Sequence, residues 1–473
     1  MAIVNGSNSS ETLDMADGVT NGGDVILGNG GNDTIYGLGG NDVIQGGAGA
    51  DKIFGGDDVD TANYIDSTAG VTVNLKTGKG SKGSAEGDIL AGIENLTGSN
   101  HDDNLFGDDG KNVLYGRDGH DTLKGFGGFD TLWGGKGDDM LFGMDLADTL
   151  YGEAGNDVLN GGAESDYMFG GTGDDSYYID HLADKVTEES DEGNDTIYRS
   201  LYNPLGQLQD NVENLVLLSG AMRGEGNGLD NTIEGNDDHN VLLGHGGDDT
   251  LIGGDGEDSL FGGAGIDTMI GGADDDYYTA EQIDIIMEED GGGFDWVFTN
   301  ESFELPAYVE NLGMSNIDDD NPLDINGTGN DLPNEILATT GNNVLDGKGG
   351  SDELLGRHGV DTLTGGSGGD TFVWLYAEET GVTAATADVI TDFNFANGDR
   401  IDLQNIDADV YADGEQTFTF IGMAAFSGTP GEINYTHSGG NTYIQLQTGT
   451  VADVEGVIRL DGIVTPEASW FML

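Results

Sequence analysis

Carboxylates recur along this chain on a nine-residue beat, with glycine at the first position of each unit, usually glycine at the fourth, aspartate or asparagine at the sixth and an apolar residue at the eighth. Four runs carry it. Their sixth residues are Asp24, Asp33, Asp42, Asp51 and Asp60; then Asp103, Asn112, Asp121, Asp130, Asp139, Asp148, Asp157, Asp166 and Asp175; then Asn231, Asn240, Asp249, Asp258, Asp267 and Asp276; then Asn334, Asn343, Asp352, Asp361 and Asp370. A carboxylate is a hard, charged oxygen donor, and the glycines beside it let backbone carbonyls turn toward the same point. The chemistry this spacing favours is the binding of an oxygen-preferring divalent cation.

Something must hold those carboxylates in register. Six glycine-rich residues suit a turn with φ > 0, and the remaining three, such as Thr34-Ile35-Tyr36, suffice for a short strand with one inward side chain. Two units then make one coil of a solenoid, with parallel strands stacked on two faces and loops stacked along two edges. The eighth position is apolar throughout, as at Ile35, Ile44 and Ile53, at every ninth residue from Leu105 to Leu159, and at Leu242, Leu251 and Leu260. Burying one such leucine contributes about 1.5–3 kcal/mol per unit, whereas fixing each backbone residue costs roughly 1–2 kcal/mol. Hydrogen bonds do not close that gap. Stacked loops, however, bring aspartates of successive coils together with in-pointing carbonyls, an all-oxygen cage suited to Ca2+ rather than to the stricter geometry of Mg2+, and the binding energy of the ion becomes folding energy.

Composition agrees. The formal net charge is -74, from 89 acidic against 15 basic side chains, and 85 of 473 residues are glycine. Such a chain is a poor partner for nucleic acid or anionic lipid, and without counter-ions it tends to disorder. With no cysteine, disulfides and thiolate sites are excluded. No window approaches the length of a transmembrane span, and the opening MAIVNGSNSSETLDMADG carries no Sec-type signal, so an export address is expected elsewhere.

Units such as Gly46-Gly47-Ala48-Gly49-Ala50-Asp51-Lys52-Ile53-Phe54 and Gly134-Gly135-Lys136-Gly137-Asp138-Asp139-Met140-Leu141-Phe142 resemble at every position the hemolysin-type calcium-binding repeat of the RTX (repeats-in-toxin) family. The resemblance implies a right-handed parallel β-roll in which each ion sits between the loop of one unit and the loop two units later. It implies the aspartates above as side-chain ligands. As carbonyl ligands it implies the loop glycines Gly28, Gly31, Gly37, Gly40, Gly46, Gly49, Gly116, Gly119, Gly125, Gly128, Gly134, Gly137, Gly244, Gly247, Gly253, Gly256, Gly347, Gly350, Gly356 and Gly359. Filling every such loop pair would take up to about 17 Ca2+. The asparagines near the run starts keep an oxygen but lose the charge, so weak or vacant sites are expected there. Leu146, Glu164, Leu229 and Asp274 replace the fourth-position glycine and put the loop geometry of their units in question.

The expected organisation is all-β: β-roll runs over 1–63, 98–178, 226–279 and 329–387, joined by β spacers over 64–97, 179–225 and 280–328. The spacers share IENL at 93–96 and VENL at 212–215 and 309–312, and residues 184–197 parallel 284–297. Aromatic pairs at the run ends (Tyr177 with Tyr178, Tyr277 with Tyr278, Phe372 with Trp374, and Tyr64 beside Ala62) are expected to cover the coil stacks. Residues 388–473 read as a separate β domain that resembles the C-terminal domain of serralysin-type proteins, and the tail Trp470-Phe471-Met472-Leu473 behind Glu467 is similar to a type I secretion signal. A plain hydrophobic last strand is the alternative for that tail.

No catalytic constellation stands out. HExxH is absent, Gly365-Gly366-Ser367-Gly368-Gly369 matches G-x-S-x-G only inside a repeat loop, and His101, His120, His239, His245 and His358 occupy variable loop positions. The expectation is a secreted, non-enzymatic Ca2+-binding protein that acts as a surface, matrix or adhesive component, with type I secretion machinery as its export partner and cell-surface polysaccharide or self-association as its contacts outside. The alternative is an accessory module, similar to the repeat modules of alginate epimerases, that binds an extracellular polysaccharide or a partner enzyme. Four tryptophans, Trp133, Trp296, Trp374 and Trp470, are dispersed in sequence and weigh against a dedicated glycan cleft.

Overall fold

The computed structural model describes residues 1–201, 207–316, 322–411, 414, 416–451 and 453–473, so short parts of two spacers and of the C-terminal region lie outside the described residues. It divides into two compact units, Met1–Asn236 and Asp237–Leu473. The division falls inside the third run. Each unit is a parallel β-solenoid, and among the described residues helix is limited to short 3-10 turns such as Met15–Asp17. Among the described residues no helix is long and apolar enough to cross a membrane.

In the first unit the strand Thr131–Lys136 pairs in parallel with Val113–Asp118 and with Thr149–Ala154, which sets Leu132 between Leu114 and Leu150. Across the coil, Met140–Asp145 pairs with Thr122–Gly127 and Val158–Gly162, and Leu141 lies between Leu123 and Leu159. Two nonapeptides therefore make one coil, and the eighth-position side chains form two fully buried columns. Period-two strands of only three to six residues suffice because each needs one inward side chain.

The spacers extend these columns. Val186 pairs with Met168, Ile197 with Tyr177, and Leu215 with both Ile197 and Ile233. The segment 70–81 is a hairpin, Thr72–Asn74 against Lys79–Ser81, whose first strand also lies parallel on Asn104–Phe106. Because stacking continues past the runs, Tyr177 is a buried member of a column rather than a cover over its end. Tyr278 and Phe372 are likewise internal, with Val297 and Ile401 stacked beyond them.

In the second unit one column runs from Leu242 through Leu260, Tyr278, Val297, Leu312, Ile336, Leu354, Phe372 and Ile401 to Phe471. The region from residue 388 is thus joined to the solenoid. Asp388–Ile390 lies parallel on Thr362–Thr364 and beside Gly456–Leu460, the outer strand of an antiparallel meander with Asn441–Gln447 and Glu432–Ser438. The last strand, Phe471–Met472, pairs with Arg400–Asp402, and Trp470 packs 5.0 Å from Phe393 and 5.7 Å from Phe395. The hydrophobic tail is part of this folded end.

If the columns hold the coils, Leu132→Ala should cost about 2–5 kcal/mol in guanidinium unfolding at saturating Ca2+, and Thr131→Ala on the outer face less than about 1 kcal/mol. Equal small losses at both positions would show that the columns carry little of the stability.

Candidate metal centre in the stacked loops

Each repeat carboxylate uses its two oxygens differently. One oxygen holds the coil stack: Asp121 Oδ1 accepts the backbone N–H of Asp103 at 2.7 Å, Asp139 Oδ1 that of Asp121 at 2.7 Å, and Asp157 Oδ1 that of Asp139 at 2.7 Å. The same bond recurs eighteen residues apart in every run, for example with the Asn240 N–H donating to Asp258 and the Asp352 N–H to Asp370. The other oxygen, Oδ2, is buried without a hydrogen-bond partner at Asp33, Asp42, Asp51 and Asp60, at every ninth residue from Asp121 to Asp175, at Asp258, Asp267 and Asp276, and at Asp352, Asp361 and Asp370. A buried, unpaired carboxylate oxygen costs free energy in any protein. A row of them needs a positive partner.

Backbone carbonyls converge on the same space. A Cβ placed on Gly116 would overlap Asp121 Oδ2 and lie 2.6 Å from Gly134 O, the first-position carbonyl of the next coil. Gly152 meets Asp157 Oδ2 and, at 2.6 Å, Gly170 O in the same way, and Gly253 meets Asp258 Oδ2 and Gly271 O at 2.6 Å. From the opposite side the fourth-position carbonyls of Gly31, Gly119, Gly247 and Gly350 point at the fourth-position glycines Gly49, Gly137, Gly265 and Gly368. First-position glycines such as Gly116 and Gly253 thus lie beside Oδ2 and the next coil's carbonyl, while fourth-position glycines such as Gly128 and Gly359 lie beside the preceding coil's carbonyl and Oδ1. The set is all oxygen, anionic and dry, which fits Ca2+ by donor type.

A contribution that the nonapeptide pattern does not announce comes from position two. Its carbonyls also point across the gap, as Arg117 O does at Gly135, Leu38 O at Gly56, Met144 O at Gly162 and Lys348 O at Gly366. Wherever a repeat Oδ2 is unpaired, the second residue has positive φ, whether glycine, as at Gly135 (118°), or not, as at Leu38 (78°), Arg117 (94°), Phe126 (75°) and Met144 (86°). Left-handed backbone costs a non-glycine residue roughly 1–2 kcal/mol, so these loops hold strain. The same holds at Leu146 (75°), Glu164 (78°) and Asp274 (75°), which keep the glycine conformation at position four instead of breaking the loop.

The run starts are built otherwise. There the second residue is Thr20, Ser99, Asp108, Asn227, Asn330 or Thr339, none at positive φ, and the sixth side chain is spent on local hydrogen bonds. Asp24 Oδ2 accepts from Thr20 N at 2.7 Å and Thr20 Oγ1 at 2.8 Å, and Asp103 Oδ2 accepts from Ser99 N at 2.5 Å. Asn112, Asn231 and Asn334 accept the second-position N–H and donate Nδ2 to the carbonyls of Glu94, Glu213 and Glu310, at 2.7, 3.1 and 3.0 Å. Those glutamates belong to the ENL triplets. An aspartate could not make the donor bond, which accounts for asparagine at these positions, and the loops so closed present no unpaired carboxylate to a cation.

Electrostatics sets Asp24 apart, whereas burial raises the other run-start aspartate, Asp103, as it does the repeat aspartates. Burial, reinforced by the neighbouring charges of Asp121 and Asp157 and only partly offset by the Asp121 N–H, raises Asp139 to about 8. Burial and the like charges of the adjoining coils raise Asp148, Asp175, Asp276 and Asp361 to about 8 as well. At Asp24 burial pushes up, but the N–H groups of Ala2 and Thr20 and the Thr20 hydroxyl outweigh it and leave the carboxyl below its ordinary value.

Ser367 of the G-x-S-x-G match lies in a repeat loop bridged to Gly349, between Gly366 (95°) and Gly368 (142°), which is not a strand-to-helix elbow. His120 and His239 do not converge with other ligands; their Nδ1 atoms accept the N–H groups of Asp138 and Glu257 one coil on, both at 2.8 Å.

Carboxyl groups raised in the fold above their unfolded value of 3.8 stabilise it at low pH, and that contribution fades as pH rises through about 8. In chelator, β signal in circular dichroism should therefore grow as pH is lowered from about 8 toward 4; a signal that fell on acidification would contradict the burial of these groups. Leu146→Gly should raise unfolding stability at saturating Ca2+ by about 1 kcal/mol through release of backbone strain, and a loss would show that the leucine side chain outweighs the strain.

The family model for the RTX calcium-binding nonapeptide repeat (4 copies) matches residues 20–53, 27–62, 90–123, 115–145, 142–177, 225–260, 252–282 and 337–372. No curated protein matches the chain. The matched segments coincide with the loops described above, so the chain carries RTX calcium-binding nonapeptide repeats.

Proposed function

We propose that this is a secreted, non-catalytic protein that folds on meeting extracellular Ca2+ and serves as a surface, matrix or adhesive component. The observation that carries the reading is the row of buried, unpaired Oδ2 atoms facing loop carbonyls. The repeat aspartates with positive-φ loops would hold the ions through Oδ2, together with carbonyls from positions one, two and four. Bound Ca2+ supplies the positive charge that lets these carboxylates stay ionised inside the fold. Proteins with RTX repeats are typically secreted. In a compartment poor in Ca2+ the mutual repulsion of a chain with net charge -74 opposes compaction and favours export unfolded. Type I secretion machinery would then read the C-terminal tail before Phe471–Met472 is taken up as the last strand.

The test is circular dichroism at neutral pH in chelator and on return of Ca2+. A cooperative gain of β signal on adding Ca2+ is expected, and full native signal in chelator would refute the reading.

A second reading, binding of an extracellular polysaccharide, is favoured by one surface. Tyr115, Trp133, Tyr151 and Phe169 follow one another at the coil period and stack with centroid separations of 6.0, 3.8 and 4.9 Å. Trp133, dispersed from the other tryptophans in sequence, sits at the centre of this ribbon beside Arg117, Lys136 and Glu153. Aromatic rings with flanking polar groups suit the apolar faces and hydroxyls of sugars. Trp133→Ala should abolish retardation in polysaccharide affinity gels; retardation equal to the parent, or none with the parent on any glycan, would remove this reading.

A further inference from the structure

We propose that the second and third runs each end in a further Ca2+ site, formed by Asp175, Glu188 and Asp195 in one unit and by Asp276, Glu288 and Asp295 in the other, in which a spacer glutamate takes the place of the next coil's loop carbonyl. In each triad one oxygen per residue lies within 4.8 Å of the others. Asp175 and Glu188 are 1% and 6% exposed, yet Asp175 Oδ2 and Glu188 Oε2 have no hydrogen-bond partner; in the second triad Asp276 Oδ2, Glu288 Oε2 and Asp295 Oδ2 are equally unpaired.

The substitution of glutamate for carbonyl is visible at the first-position glycines. Within a run, the Cβ direction of such a glycine meets Oδ2 of its own aspartate and the first-position carbonyl of the following coil, as at Gly116 and Gly253. At Gly271, the last of its run, the same direction meets Asp276 Oδ2, the Tyr278 hydroxyl and, at 2.6 Å, Glu288 Oε1. A second arm of that glutamate faces a loop carbonyl: Glu288 Oε2 and Gly272 O lie 2.8 and 2.9 Å from the Cβ position of Gly292. Gly170 meets Asp175 Oδ2 and the Tyr177 hydroxyl in the corresponding place. Tyr177 and Tyr278 donate their hydroxyls to Oε1 of Glu188 and Glu288, which orients each carboxylate and leaves Oε2 for a ligand. The third member continues the ladder, since Asp175 N donates to Asp195 Oδ1 at 2.8 Å and Asp276 N to Asp295 Oδ1 at 2.9 Å.

The other two runs end differently. Asp60 and Asp370, the last aspartates of those runs, donate their N–H groups to Glu94 Oε2 at 2.8 Å and to Asp399 Oδ1 at 3.2 Å. Among the described residues no group of three carboxylates meets at either of these ends, and Asp88 and Asp388, stacked on the units before the last, are satisfied by the Tyr64 hydroxyl at 3.2 Å and by Trp374 Nε1 at 2.8 Å. The unpaired oxygens of Asp175 and Glu188 at the end of the second run, and of Asp276, Asp295 and the half-buried Glu288 at the end of the third, call for a cation, and their oxygen-only donor set for a hard one.

The inference rests on Ca2+ binding by the repeats, and one experiment separates the two. Ca2+ bound per full-length chain is measured by equilibrium dialysis at saturation for the parent, Glu188→Gln, Glu288→Gln, the double variant, and Asp139→Asn as a repeat control. Each glutamate variant is expected to lose one ion and the double variant two, with near-ultraviolet dichroism unchanged. Parent stoichiometry in the double variant alongside a loss in Asp139→Asn overturns the run-end sites alone, and parent stoichiometry in all of them overturns the repeat sites too. If the glutamate variants do not fold, Tyr177→Phe with Tyr278→Phe keeps every carboxylate: tyrosine-sensitised emission of terbium bound in place of Ca2+ should fall, and unchanged emission overturns the proposal.

Discussion

The structure depends on a division of labour within one carboxylate. Oδ1 of each repeat aspartate bonds to the coil before it, and this alone would give a regular stack. Its geometric consequence is that Oδ2 is turned inward, away from water, beside another coil's carbonyl. Every other feature of the loops answers that placement: glycine at position one because a Cβ would strike Oδ2, and a left-handed second residue because the peptide must present its carbonyl and not its N–H. Where the second residue instead offers its N–H, as at Thr20 and Ser99, the carboxylate is satisfied locally and its demand for a cation disappears.

Apolar burial plays a narrower part. The columns through Leu132 and Leu260 fix register, since a slip of one residue would turn each strand's single inward side chain out. They are one side chain wide, however, and run beside carboxyl groups that burial and neighbouring like charges raise to about 8. Strain at Leu38, Phe126 and Met144 also weighs against the fold. On the reading proposed above the fold is therefore conditional, with loops arranged for a ligand that the protein does not itself supply.

Much of this was legible in the sequence because the repeat is short and each position has one role. The period, the inward eighth residue and the sixth-position carboxylate follow from spacing alone. What escaped depends largely on contacts ten or more residues apart. The alignment of Tyr115, Trp133, Tyr151 and Phe169 needed only the step from a nine-residue unit to a two-unit coil, and was hidden by viewing the tryptophans as isolated. Glu188 and Glu288 lie in spacers with no nonapeptide pattern, so nothing local marks them as partners of Asp175 and Asp276. The left-handed second position was masked because leucine, phenylalanine and arginine stand where backbone preference would ask for glycine. The C-terminal region looked separate because its strands change period, yet Ile401 and Phe471 continue the column begun by the repeats.

The most direct measurement is anomalous diffraction near the calcium absorption edge from crystals grown in Ca2+. Peaks are predicted between successive positive-φ loops, beside Oδ2 of aspartates such as Asp121, Asp139 and Asp258, and none beside Asn112, Asn231 or Asn334. Peaks confined to exposed surface carboxylates, or present at the asparagine loops as strongly as at the aspartate loops, would contradict the account.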